Sequence, residues 1–307
     1  MFLPDRLKGI SVFVVVADSG SFIAAAEKLN LTGSAVSKSV ARLESRLGKK
    51  LFNRTTRSLS LTEAGYRYYC TCTGILSELE ETELSLTLEE REPFGKVRID
   101  LPASYGRMHV LPVIMAFTRQ YPLLQPHITF TDRFVDPVQE NIDIVVRIGG
   151  PDVWHSALGH RYIGAQRLVF CASPAYLLRR GVPKSARELD KHDCIGYAIG
   201  AGMISPWYFT GSEPGEMERR VIPARIALGD GESELQAALG DYGIAQLPLW
   251  LVEQHLENGT LKEVMPELST DGMPMNIVWL KSRESLPKIR ALLSELTDKL
   301  TPTGVIR

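Results

Sequence analysis

The sequence predicts an α/β protein with an all-α-rich N-terminal winged helix-turn-helix, followed by a longer body of alternating strands and helices, and three observations carry that reading. Residues 21–48, SFIAAAEKLNLTGSAVSKSVARLESRLG, hold two apolar stripes at helical spacing on either side of a short polar turn. Beyond residue 95 the pattern changes to short apolar runs of strand length between helical stripes, as in a sheet covered by helices. Charge is also segregated: residues 1–70 hold eleven Lys/Arg against five Asp/Glu in a chain whose net charge is −1, so the body is acidic. At 307 residues and 44% hydrophobic content there is material for two or three compact domains. No apolar run approaches the roughly 20 residues of a membrane span, and no basic segment with a signal-type core opens the chain, so no membrane partner and a cytoplasmic location are expected.

Taken in order, Asp5 to Ala17 places Leu7, Ile10, Val14 and Ala17 at spacings that predict a supporting helix. Ser21 can cap the next helix, whose stripe is Phe22, Ala25, Ala26 and Leu29, with Ala26 small enough for a close helix contact. In the turn Asn30-Leu31-Thr32, Asn tolerates the left-handed conformation that ends one helix and Thr can cap the following one. That following helix turns Val36, Val40, Leu43 and Leu47 to a core and Ser34, Ser37, Lys38, Ala41 and Arg42 to the other side. Short hydroxyl side chains let a helix backbone approach base edges while neighbouring cations contact phosphate, which suits the major groove of DNA. An ordinary helical hairpin with a solvated basic face fits the periodicity equally well. The next residues favour the first reading: Lys49, Lys50, Arg54 and Arg57 cluster beyond the helix, and Ser58 to Leu61 alternates like a short strand, forming a wing.

These residues resemble the LysR-type transcriptional regulators, through the run FxxxAxxLNLTxSAVSKSVARLExRLGxxLFxRTTRxLxLTExG from Phe22 to Gly65. On this basis Ser34, Ser37 and Lys38 are the expected DNA contacts of the recognition helix, with Ser21, Thr32 and Arg42 as further candidates. Arg54 and Arg57 are expected at phosphate or the minor groove, from their clustered charge and the family's wing. The resemblance implies double-stranded promoter DNA, an unidentified small-molecule effector and further copies of the chain, as homodimer and homotetramer, as partners. RNA polymerase is a further candidate partner.

Thr62 is a plausible cap, with Glu63 favourable at the positive end of a long helix, in which Cys72, Leu76, Leu79, Glu83 and Leu86 make an imperfect heptad-like seam. The seam fits either a dimer contact or a helix packed on its own body, and the resemblance implies the former. The break Glu89 to Gly95, charged and bounded by Pro and Gly, sets the expected division: 1–61 winged helix-turn-helix, 62–92 linker helix, 93–307 effector-binding domain.

In that domain Val97, Ile99 and Leu101 predict a strand, Pro102 to Gly106 a loop, and Met108, Leu111, Ile114 and Phe117 a helix. Ile128 to Thr131, Ile142 to Ile148, Arg167 to Ala172, Val221 to Leu228, Gly243 to Leu247 and Asn276 to Leu280 read as further strands, in the manner of a covered parallel sheet. Ser173-Pro174 opens a helix at Ala175, Asp230 to Leu239 forms another ending at Gly240, and Ile289 to Leu300 closes the chain. PASYGRMHVLP, DIVVRIG and DYGIAQLP resemble the family's effector domain, itself similar to periplasmic solute-binding proteins. That implies a two-lobed periplasmic-binding-protein-like domain, with lobe I at 93–165 and 269–307 and lobe II at 166–268.

Ligands of open α/β sheets sit beyond the strand ends, where loops meet helix N-termini. Ser104 and Tyr105 occupy such a loop, where Ser104 either binds a ligand or makes only local hydrogen bonds. Arg147 ends an apolar strand, a costly place for a cation unless a carboxylate pairs with it; Asp136, Asp143, another protein acid or an acidic effector would serve, and a protein partner is the favoured reading. Met203 and Ile204, in the glycine-rich loop 200–205, are added by family comparison. The expected effector is small and polar or anionic. The six histidines and four cysteines lack metal-ligand spacing, the cysteines being expected as buried free thiols, and no nucleophile or phosphate-loop motif occurs, so neither cofactor, metal nor catalysis is expected.

Overall fold

The computed structural model describes residues 9–54, 59–87, 92–151, 153–200, 202–211 and 217–301. The chain divides into two compact units, one running to Lys96 and including Val135–Ile142, the other comprising Val97–Phe134 and Asp143 onward.

The first unit is built from α1 (Ile10–Ser19), α2 (Phe22–Lys28), α3 (Gly33–Leu47), a hairpin of β1 (Phe52–Arg54) and β2 (Leu59–Leu61), and α4 (Glu63–Thr87). Its core joins Ile10, Val14, Ala25, Ala26, Val36, Val40 and Leu43 from the stripes that the spacing assigns inward, with Phe13, Val16 and Leu51 beside them; Leu47, expected in the core, is 38% exposed at the end of its helix, and Leu7 lies outside the described residues. The chain changes direction where its local chemistry allows. Ser21 accepts from the Ile23 and Ala24 N–H groups, Asn30 adopts φ 51°, and Thr32 accepts from Ala35 N–H. The wing is antiparallel, with Asn53 opposite Ser60, and its loop at 55–58 lies outside the described residues. Gly65 lets α4 approach the wing, since a Cβ there would sit 2.0 Å from the Leu51 carbonyl oxygen.

Helix α4 runs unbroken from Glu63 to Thr87, the rest of the expected helix at 88–91 lying outside the described residues, but the first two seam residues face inward. Cys72 is 1% exposed and Leu76 packs partly buried against the same core as α1 and α3. Leu79 and Glu83 are exposed, and the Leu86 side chain lies outside the described residues. Asn141, from the 135–142 segment, donates from Nδ2 to the Cys70 carbonyl at 2.9 Å, and the close approach of its amide to Gly74 fixes that segment on the helix.

The second unit comprises β3 (Gly95–Leu101), α5 (Ala103–Tyr105) continuing through a π-turn into α6 (Leu111–Gln120), β4 (Leu124–Phe130), β5 (Ile144–Ile148), β6 (Leu158–Ala172), α7 (Pro174–Arg180), β7 (Cys194–Tyr197), β8 (Trp207–Thr210), β9 (Met217–Arg220), β10 (Ile226–Leu228), α8 (Gly231–Leu239), β11 (Ile244–Pro248), α9 (Leu249–Glu257), β12 (Lys262–Val264), β13 (Thr270–Leu280) and α10 (Pro287–Leu300). Strands follow the order β10-β7-β11-β6-β13-β5-β3-β4, with β12 also on β6 and β8 with β9 as a separate hairpin. The sheet is mixed where the apolar runs suggest a parallel one. β3–β5, β7–β10 and β7–β11 are parallel, whereas the long strands β6 and β13 run antiparallel to each other and to their outer neighbours. These two strands carry the chain between two lobes. One core gathers β3, β5, α6 and α10 around Ile99, Ile144, Ile114 and Leu292. The other lobe packs on both faces of β6, Val169 and Cys171 toward α8 and α9, Phe170 and Ala172 toward Tyr176 and Trp207. At the crossing, Gly272 holds φ 81° and its Cα passes so close to Gln166 that a Cβ would lie 1.4 Å from the Gln166 carbonyl oxygen, excluding any side chain.

Candidate functional site

Two regions gather side chains able to bind. On α3, Ser34, Lys38 and Arg42 are exposed and Ser37 is half-buried, opposite Val36, Val40 and Leu43, which are fully covered. Lys38 and Arg42 border one surface groove together with Arg46. Thr32 shares a 3.1 Å hydroxyl contact with Ser34, so the two caps expected at DNA, Ser21 and Thr32, also hold the helix starts. Glu44, on the rear of α3, is 3% exposed and accepts from Leu51 N–H at 2.8 Å, Phe52 N–H at 3.3 Å and Lys50 Nζ at 3.1 Å. Burial alone pushes its carboxyl up, yet these donors outweigh that and hold it below the usual range, so Glu44 is an ionised anchor between α3 and the wing. Arg54 is described in its backbone only, and Arg57 lies outside the described residues.

In the second unit, strand ends and helix starts from both lobes enclose a cavity of about 260 Å³. Ser104, Tyr105 and Arg147 line it. Polar contacts cross it: Ser104 Oγ donates to Glu232 at 3.2 Å, Arg107 pairs with the same carboxylate, and Tyr197 O–H donates to Asp132 at 2.5 Å. Burial first, then the bond to Asp132, pushes the Tyr197 phenol well above its ordinary value, so it remains a donor. Arg147 pairs with Asp100 at 2.8 Å and donates to the Thr131 carbonyl at 3.0 Å. Its partner is therefore neither Asp136, which caps the local turn at Val138, nor Asp143, which binds Arg283 and Arg98 N–H. Burial pushes the Asp100 carboxyl up and the Arg147 guanidinium down, the sign of an ion pair whose desolvation is incompletely offset.

Residues 90–301 match the LysR substrate binding domain, and residues 7–66 match the bacterial regulatory helix-turn-helix protein, lysR family. The chain belongs to the LysR family of transcriptional regulators. The regulator is 30% identical over 302 residues to the HTH-type transcriptional activator AaeR of Escherichia coli, covering 98% of this chain and 96% of that one. It is 33% identical over 293 residues to the HTH-type transcriptional regulator CrgA of Neisseria meningitidis, covering 95% and 96%. The solved structure of CrgA superposes with a TM-score of 0.60, covering 96% of this chain and 99% of that one at 30% identity. The full-length Vibrio cholerae virulence activator AphB gives a TM-score of 0.62 at 25% identity, covering 96% and 99%. Members of this family bind DNA and small-molecule effectors and form oligomers. No single helix of the regulator among the described residues is long and apolar enough to cross a membrane.

The LysR-type regulator brings Ser104, Tyr105 and Arg147 to one cavity, but Met203 and Ile204 are not on its wall. Met203 is 57% exposed in a turn closed by its own N–H to the Gly200 carbonyl, and Ile204 packs on Gly196 while bridging to Ala198. The chain on either side of that turn offers Ile199, Ser205 and Pro206 to the cavity instead. The reading also missed Asp132, Tyr197, Trp207, Glu234 and Trp250, which stand far apart in sequence on separate elements. Glu234 alone left a readable signal, an acid on the apolar stripe of α8 beside Ala237 and Ala238. All four cysteines are buried and none forms a disulfide among the described residues, and burial pushes the Cys171 and Cys194 thiols up to about 12.

Proposed function

We propose that the regulator reads promoter DNA through α3, with Ser34, Ser37 and Lys38 meeting base edges or phosphate, Ser21, Thr32 and Arg42 at the flanks, and Arg54 and Arg57 reaching the backbone from the wing. The observation that carries this reading is the exposed small-and-basic face of α3, held against a fully covered apolar face. The division at 61, 92, 165 and 268 separates DNA reader, linker and lobes, and the cleft near Ser104, Tyr105 and Arg147 takes the effector. The regulator works in the cytoplasm without catalysing a reaction, as a homodimer or a homotetramer of paired heads, and contacts RNA polymerase at its promoters. At a genomic site mapped by immunoprecipitation, Ser37→Ala and Lys38→Ala should each weaken binding by about 1–3 kcal/mol per lost specific contact while leaving the folded dimer intact. Parental affinity in both variants would remove α3 from the interface.

A further inference from the structure

The chemistry of the cavity wall is not that of an anion site. Among the described residues Arg147 is the one Lys or Arg on the wall, and its two terminal nitrogens are held by Asp100 and the Thr131 carbonyl, which leaves only its buried Nε without a partner. Asp132 accepts from Tyr197 O–H and Ala103 N–H, and no cation pairs with it among the described residues. Glu234, 3% exposed on α8, also lies on the wall, and among the described residues no hydrogen bond or ion pair meets its carboxyl. Around the cavity the carboxylates of Asp100, Asp132, Asp230 and Glu232 outnumber the cations Arg107, Arg133 and Arg147 by one, with the carboxyl of Glu234 in addition. A charge excess in a poorly solvated site repels anions and draws cations. The remaining wall is mostly apolar and includes the rings of Phe134, Tyr197, Trp207, Tyr208 and Trp250, a class of side chain whose ring face favours a nearby ammonium.

We propose that the effector is an organic cation, a primary amine carried on an aromatic or apolar body, whose ammonium donates to the Glu234 carboxylate while its body lies along the aromatic wall. This deepens the reading of the cleft as the effector site and rests on it. It also departs from the sequence-based expectation of a small polar or anionic effector. Burial, reinforced by Asp230 at the head of the same helix, pushes the Glu234 carboxyl up to about 9. The other titratable groups facing it are Cys171 on β6 and Tyr197 on β7, both shifted upward by burial and neutral at neutral pH. By itself Glu234 therefore keeps its proton at neutral pH, and pairing with an ammonium releases that proton, so affinity for the amine rises as pH climbs toward 9.

The test is calorimetry on the full-length regulator with three probes of one shape: phenethylamine, phenylacetate and phenethyl alcohol. Phenethylamine should bind about tenfold or more tighter than phenylacetate, the size of one charge-assisted hydrogen bond, with heats that differ between phosphate and Tris buffers because a proton is released. Glu234→Gln should cost the amine about tenfold in affinity, spare the alcohol, and leave the melting temperature unchanged or higher. Phe134→Ala, at an exposed ring of the wall, should weaken all three probes. Phenylacetate or the alcohol binding as tightly as the amine, equal heats in the two buffers, or an unaltered amine affinity in Glu234→Gln would overturn the cation while Phe134→Ala still identifies the cleft. Binding by none of the probes, or binding indifferent to both substitutions, would overturn the cleft reading as well.

Discussion

Arg147 and Glu234 border one cavity and have opposite relations to the rest of the protein. The Arg147 guanidinium, with its side chain 7% exposed beside an Asp100 side chain at 2%, completes a charge pair that no water can replace. Thr129 O–H supports the same carboxylate at 2.7 Å. Removing one member of such a pair strands the other, so Arg147→Ala should destabilise the domain by about 3–5 kcal/mol in urea unfolding, whatever ligand is present. A loss below about 1 kcal/mol would mean that Asp100 is satisfied without it, and would reopen Arg147 as a ligand contact. Glu234 is the reverse case, an acid with no hydrogen-bond or ion-pair partner among the described residues, tolerated because burial keeps it protonated. The sequence shows both residues as charges on apolar stretches. It does not show that Asp100, 47 positions away, stands within reach of Arg147, while among the described residues no cation pairs with Glu234.

Among the elements, α3 is set by its own residues. Thr32 caps its start, Gly48 at φ 63° ends it, and its outward face and its inward stripe up to Leu43 follow from spacing, whereas Leu47 in the last turn is exposed. Thr32→Ala should cost about 1 kcal/mol of stability by thermal melting and weaken DNA binding through fraying of the Ser34 turn, and Thr32→Ser should restore both. Recovery of stability but not of DNA binding in the serine variant would show that the Thr32 methyl group itself meets DNA. Helix α4 was legible as a helix from Glu63 to Thr87 but not in allegiance. A heptad-like seam describes which residues share a face, not which surface covers it, and the head's own core claims Cys72 and Leu76. Only the seam beyond Leu76 is left for a partner helix.

At the scale of the molecule, the two lobes share one sheet path through β6 and β13, and polar bonds span the cavity between them. Glu232 is the busiest of these groups, receiving Ser104 and Arg107 together. An effector shifts the regulator only by its differential affinity for two lobe arrangements, and those bonds belong to one of them. Glu232→Ala should therefore loosen the lobes, seen as faster amide exchange at residues 103–107 and 231–234, with the DNA-binding unit unaffected. Unchanged exchange at both segments would show that the cross-cavity bonds do not hold the lobes.

The sequence by itself determined the helix-turn-helix, its caps, the polar face of α3, the long α4 and the alternation of strands and helices. These depend on interactions within a few residues, which periodicity records directly. The family signature from Phe22 to Gly65 belongs to the same local register. Tertiary structure alone decided the mixed direction of the sheet, the turn that carries Met203 and Ile204 off the cavity wall, the Asp100 partner of Arg147 and the acidic, aromatic character of the cleft. Each of these depends on which distant strands become neighbours, and burial then decides which charges are paired and which are left to meet a ligand.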